Sequence, residues 1–406
     1  MSASLYQHCP RCFNHFFADA QKRFSPSAKY AILFPAAASP GAPRAERRPP
    51  EEIDVKKALL LTLTALLILY ACPCLGEEIT LSFIGDCSLG ETYQSRNSAT
   101  SFTATLNQHG MDWPFSLVRD ILDADDFTFA NLEVALTART RHVEKAHPLS
   151  GPPQNAQALL YSGVDAVNTV NNHCLDFYPE GYLDTLAALD GLAFPHFGTI
   201  RRKDLGDQGD QALLREVKGV TIGAVGFSYP MEYNVKLIGN SVRRLKEAGC
   251  DLVVVSLHWG LETHPVPEYW QYDFARELID QGADVVWGHH PHVLQPIQVY
   301  NGGVILYSTG NFTFGSMSPT VDRDTGIFQL TYETAEGGPV LRQLRVIPCV
   351  TTGAGDYRPY ALTAPEDRLR VFKKLISRKE KKGLQNLPAS FLETGVVQIR
   401  DGQIVE

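Results

Sequence analysis

Aspartate, glutamate, asparagine and histidine recur in this chain as short clusters, each directly after an apolar run. They are Gly85-Asp86, Asn131-Leu132-Glu133, Asn171-Asn172-His173, His258-Trp259-Gly260 and Gly288-His289-His290-Pro291-His292. Carboxylate, amide and imidazole donors together form the mixed hard and borderline ligand set that holds one or two divalent ions, Mn, Fe or Zn, for hydrolytic chemistry. Asp86 and Glu133 would supply the anionic oxygens, Asn172 an amide oxygen, and His258, His290 and His292 neutral imidazoles. Glu133 has the reach to bridge two metals about 3.5–4 Å apart. His173, beside a ligand but projecting differently, is the candidate proton donor to a leaving oxygen.

Each residue type also has an ordinary structural use. An aspartate after glycine caps a turn, asparagine tolerates left-handed turns, and a single histidine at a strand end is commonly a hydrogen-bonded core residue. The His290-Pro291-His292 pair is more specific, because two imidazoles two residues apart in an extended segment project to one side.

The elements that must position these residues alternate in type. Strands are expected at 79–84, 126–130, 166–170, 220–227, 252–257, 284–287 and 304–307, most of them ending at a polar cluster. Helices lie between them. Tyr182, Leu186 and Leu189 recur on one face of a 3.6-residue period after Pro179, and two further helices around Val242 and Ala275 end near Gly249 and Gly282, which fit left-handed caps. Ile327 to Tyr332 and Val340 to Ile347 flank Glu336-Gly337-Gly338 as a hairpin. The tail has one basic helical stretch, Arg368 to Lys382, expected as a solvated face or a contact for a polyanion. In open α/β sheets, loops at the carboxyl ends of strands converge on one crevice, so five clusters at five such ends can meet.

Composition bounds the rest. With 44% hydrophobic and 20% charged residues the chain is globular, and a net charge of -8 argues against nucleic acid as a partner. Lys56-Lys57 followed by about fifteen mostly apolar residues up to Cys72 matches a signal peptide or short anchor, below the about 20 that a membrane span needs. The expected organisation is a leader at 1–54 that is not normally made, with Val55 as the start, then a signal peptide or anchor at 55–76, a domain at 77–350 and an appendage at 351–406. Cys87, Cys174, Cys250 and Cys349 are too scattered for a disulfide framework.

The ordered set of clusters, with Asp176, Leu261-Glu262, Val293-Leu294-Gln295-Pro296 and Tyr307-Ser308-Thr309-Gly310-Asn311-Phe312, resembles the capsule-synthesis CapA family over roughly 79–350. That family is associated with poly-γ-glutamate production and belongs to the calcineurin-like metallophosphoesterase superfamily. The resemblance implies an α/β fold of four layers, two mixed sheets face to face with helices outside. It implies metal ligands at Asp86, Glu133, Asn172, His258, His290 and His292, a catalytic His173, and substrate contacts at Asn171, Glu262 and Asn311. Ser88 stands where the superfamily commonly has a histidine ligand, and Glu133 where a shorter aspartate is usual. The expected function is an extracytoplasmic metal-dependent hydrolase of phosphoester, or secondarily amide, bonds. It would act on a cell-surface polymer or precursor alongside membrane-bound synthase or export subunits. The alternative is a non-catalytic subunit of such a complex with a degenerate site.

Overall fold

The run that begins at Glu78 alternates, with Ile79, Leu81 and Phe83 apolar and Thr80 and Ser82 polar, yet the strand it forms is buried at nearly every position because both its faces are covered. In the computed structural model, which describes residues 77–232, 234–314, 322–376 and 387–405, this strand is β1 (Glu78–Cys87). Ile79, Leu81 and Phe83 point into the layer between two sheets, and Ile84 and Cys87 into an outer core. The apolar segment at 58–72 and the two cysteines beside it, like the leader, lie outside the described residues. Among the described residues, no helix is long and apolar enough to cross a membrane.

Beside β1, in parallel, lie β2 (Phe127–Leu132) and then β3 (Ala166–Asn168). The second sheet carries β4 (Val220–Ser228), β5 (Leu252–His258), β6 (Val285–His289) and β7 (Gly303–Leu306), mutually parallel. The chain then returns to the first sheet with β8 (Asn311–Thr313), parallel to β1, and the long hairpin of β9 (Asp324–Ala335) and β10 (Gly338–Val350), β9 being antiparallel to β1. Both sheets are mixed, with eleven and six strands among the described residues. They pack face to face through large rings: Phe83 stacks on Phe129 at 5.3 Å, and Trp287 from the second sheet meets them at 5.6 and 6.2 Å. Full burial of such side chains contributes about 1.5–3 kcal/mol each.

Helices close both outer faces. On the first sheet, α1 (Phe102–His109) and α2 (Tyr178–Gly191) supply Leu106 and Leu189 to a core with Ala130 and Val167. On the second, α3 (Val235–Glu247) and α4 (Tyr269–Asp280) cover Val253, Val255 and Val286. Gly249 and Gly282, just beyond α3 and α4, take φ of +89° and +105°, as a left-handed helix stop requires. The result is the expected four-layer α/β sandwich.

Two details differ from the sequence reading. The strand expected to run to Val170 ends at Asn168, whose side chain donates to the Val170 carbonyl at 3.0 Å and to the Asn131 side chain at 2.8 Å; this folds the backbone into a turn and ends the pairing. The tail after 350 is built into the sandwich. Its strand β11 (Val396–Arg400) pairs with β10, and α5 (Pro365–Leu375) buries Val371, Phe372 and Leu375 in the core between the sheets. The basic stretch is therefore not simply a solvated face, since Arg370 and Lys374 are ion-paired with Asp324; its continuation at 377–386 lies outside the described residues.

Strand register sets the donors in one row. Asp86 pairs opposite both Asn131 and Asn311, Asn131 opposite Asn168, and in the other sheet His258 lies opposite Ser228 and His289.

Candidate metal centre

Asp86 is the penultimate residue of β1, wholly buried. Its Oδ1 accepts from Asn131 Nδ2 at 2.8 Å and lies 3.2 Å from His289 Nδ1, while Oδ2 lies 3.3 Å from His292 Nδ1 and accepts from the His290 backbone N–H at 3.4 Å. Burial works against its charge, yet the histidines His289 and His292 hold this carboxyl well below the usual range. The glycine before it is required by close approach: a Cβ at Gly85 would sit 2.0 Å from the Gly310 carbonyl oxygen. Asn131 continues the polar chain, accepting from Asn168 at 2.8 Å and lying 3.5 Å from His258 Nδ1.

Glu133 lies one residue past the end of β2, its backbone N–H donating to the Cys87 carbonyl at 2.8 Å. Its side chain is completely buried and neither carboxylate oxygen has a hydrogen-bond partner among the described residues. Three imidazole Nε2 atoms surround Oε1: His258 at 3.6 Å, His292 at 3.7 Å and His173 at 3.8 Å. Burial first, then the Asp86 charge, push its pKa well up, against the opposing pull of His292 and Lys145. A buried carboxylate left without donors is costly, and a cation between these groups removes that cost.

The donors fall into two overlapping groups. Asp86, Glu133 and His258 form one and Glu133, His290 and His292 the other, with ligand atoms within 4.8 Å of one another in each. Glu133 belongs to both, as a bridging ligand must. Asn172 Oδ1 is 3.0 Å from His258 Nε2, at the junction with the first group. The residues present therefore fit one or two divalent ions with oxygen and imidazole ligands.

The reason the two histidines converge is not the expected one. His290 and His292 take φ of +93° and +58°, so the segment is coiled through left-handed residues and not extended, a strained backbone of the kind found at ligand sites. His292 Nδ1 lies 2.8 Å from Asn311 Oδ1. Although burial opposes it, Glu133 and Asp86 raise the His292 pKa to about 10, whereas burial and the His292 charge lower His290 to about 4. Burial also holds His258 well below its ordinary value.

His173 stands at the rim of this cluster. Its Nδ1 is 2.7 Å from Asp176 Oδ2, and its pKa is lowered by burial in spite of that carboxylate. Asn171, expected at the substrate, instead braces the turn: its amide donates to the Leu132 carbonyl at 2.8 Å and its oxygen accepts from the His173 N–H at 3.0 Å. Asn311 is buried against His292, and Glu262 is exposed on the loop after β5.

The structure thus brings together Asp86, Glu133, Asn172, His173, His258, His290, His292 and Asn311. The sequence reading gave no role to Asn131, Asn168, His289, Asp176 or Lys145. Register alone could have found Asn131 and Asn168, since both stand within the last two residues of strands parallel to β1; Lys145 sits in a loop whose sequence carries no periodic signal.

Comparison with known proteins identifies the family. Residues 80–316 match the model of the bacterial capsule synthesis protein PGA_cap. The chain is similar to the capsule biosynthesis protein CapA of Bacillus anthracis, with 28% identity over 76% of this chain and 75% of that one. It is also similar to the PGA biosynthesis protein CapA of Bacillus subtilis, with 31% identity over 62% and 67%. Among solved structures, the calcineurin-like phosphoesterase YfkN of Bacillus subtilis aligns with 16% identity and a TM-score of 0.42, over 67% of this chain and 90% of that one. On the match over more than half of its length, the chain belongs to the bacterial capsule synthesis PGA_cap family.

Proposed function

We propose that this protein is a divalent-metal-dependent hydrolase of phosphoester, or secondarily amide, bonds that works in the synthesis of a capsule or poly-γ-glutamate-type polymer. The observation that carries this reading is Glu133: a fully buried carboxylate with both oxygens unpartnered, ringed by imidazoles on elements from both sheets. Asp86, Glu133, Asn172, His258, His290 and His292 would hold the metal, which when bound supplies Lewis acidity and lowers the pKa of water. His173 Nδ1–H would donate to Asp176, which would fix the ring and leave Nε2 facing the cluster, where the imidazolium form passes its Nε2 proton to a leaving oxygen and returns to the neutral ring. The relatives named for capsule and PGA biosynthesis support a cell-surface polymer or its precursor as the substrate, with membrane-bound synthase or export subunits as partners. The basic pair and apolar run at 56–72 support a location outside the cytoplasmic membrane.

A second reading, a non-catalytic subunit of the same machinery, is favoured by Ser88. This residue is fully buried and its hydroxyl donates to the Gly90 carbonyl at 3.1 Å, so the position contributes no imidazole. Metal analysis and a panel of phosphomonoesters and phosphodiesters with Mn separate the two. Turnover abolished in His173→Ala supports the enzyme; bound metal without turnover on any ester supports the subunit. Absence of Mn, Fe and Zn under every loading condition, matched by Glu133→Gln and His292→Ala, would overturn the metal centre itself.

A further inference from the structure

The loop at 137–148 carries one cation into the site. Lys145 Nζ lies 3.0 Å from the Asn172 carbonyl oxygen, 3.0 Å from Asp176 Oδ1 and 3.1 Å from His173 Nδ1. Asp176 is 2% exposed, and its other oxygen takes both His173 Nδ1 and the Leu149 N–H, the latter at 2.8 Å. The loop is pinned to the same turn from the other side by the Val143 N–H, which donates to the Asp176 carbonyl at 2.8 Å. An exposed lysine–aspartate pair contributes little. This one differs, because three of the ammonium's neighbours belong to a single six-residue turn, 171–176, and that turn presents both Asn172 and His173.

We propose that Lys145 is a positioning residue: by holding the Asn172 carbonyl and the Asp176 carboxylate at once, it fixes the turn so that the Asn172 amide stays on His258 and the His173 ring stays on Glu133. The chemistry follows from the inventory of donors. An ammonium has three N–H groups and no acceptor, so two can be spent on the carbonyl and on Asp176 Oδ1. Since Asp176 Oδ2 is the nearer partner of His173 Nδ1, that nitrogen keeps its hydrogen and donates it to the carboxylate. Without Lys145, Asp176 Oδ1 and the Asn172 carbonyl lose the donor that Lys145 supplies, and the turn loses its clamp. Residues that orient ligands in this indirect way typically change metal affinity 10- to 100-fold. The inference rests on the metal-centre reading for its effect on affinity, but not for its effect on His173.

The test uses the full chain and two readouts, neither of them turnover. Mn affinity is measured by calorimetry, and the hydrogen-bonded His173 Nδ1–H resonance, identified by its loss in His173→Gln, is followed by NMR of the metal-free protein. Lys145→Met is expected to weaken Mn binding about tenfold and to broaden that resonance away through exchange with water. Lys145→Arg should restore both, and Arg141→Ala, an exposed cation of the same loop, should change neither. Lys145→Gln serves if the methionine variant does not fold. A His173 resonance or a Mn affinity unchanged in Lys145→Met would overturn the clamp. If the wild type binds no Mn while Lys145→Met still loses the resonance, the clamp stands and the metal-centre reading falls.

Discussion

Two acidic regions of this molecule solve opposite problems. At the start of β9, Asp324 is 4% exposed, yet both its oxygens are matched: Arg370 donates at 2.9 and 3.0 Å and Lys374 lies 2.5 Å away. Burial is overcome there by the cations, and the carboxyl sits below its ordinary range. At the other region Glu133 is equally buried, has no hydrogen-bond donor, and is pushed upward. A carboxylate supplied with its own cations is finished as structure. One ringed by imidazoles and left without a donor among the described residues would, on the proposed reading, take a cation from outside, and the contrast would then separate a salt bridge from a ligand.

The largest expected effect tests the unfinished side. Saturating Mn should stabilise the wild type by about 2.7 kcal/mol at a hundredfold excess over the dissociation constant, and Glu133→Gln should abolish that gain in denaturant unfolding. An equal gain in the variant would break the comparison. Next comes pH. Because His292 is held protonated up to about 10, a metal must displace its proton, so Mn affinity should rise about tenfold per pH unit from 6.5 to 8.5. Calorimetry in buffers of different ionisation enthalpy counts the protons released, and a flat profile would remove His292 from the ligand set. In the metal-free protein the sign is the reverse: the raised pKa gives stability that is complete below 6.5 and fades as pH climbs toward 10.

Smaller effects sharpen the finished side. Asp324→Asn should cost about 1–2 kcal/mol, the gain being limited by the exposure of Arg370, and it should not alter Mn affinity. Since the Asp324 pKa is lowered, its contribution is present above the ordinary 3.8 and is lost as pH falls through the depressed value; acid unfolding of the wild type and the variant should converge there. The smallest is Ser88→Ala. It removes one hydrogen bond to Gly90, worth about 1 kcal/mol, and should leave Mn binding untouched; a loss of metal in that variant would make Ser88 a ligand after all.

Much of this was legible in the chain because each donor follows a β-type run, nearly all apolar at 252–257 and 285–287 and alternating at 79–83, that stops at a polar end. Asp86, Glu133, His258 and His292 were readable for that reason. What could not be read depends on long-range register and on irregular backbone. Asn131 gains its role only from pairing with β1 and Asn168 only from pairing with Asn131 on β2, and Asn171 turned inward because its neighbours' backbone groups needed it. His290 and His292 converge through left-handed residues that spacing alone does not announce, and Lys145 reaches the site from a loop. The tail looked like an addition because its strands are short and far along the chain, while its partner β10 was already in place to receive them.

The donors stand on both layers of the sandwich: Asp86, Glu133 and Asn172 come from the first sheet and its loops, His258, His290 and His292 from the second. An ion shared among them would act as a rivet at one pole of the molecule, adding to the contacts of Asp86 with His289 and His290 and of Asn172 with His258 that already join the two slabs there. Chelation would then unfasten that pole first, and proteases would find the 261–268 and 137–148 loops before any strand had come apart.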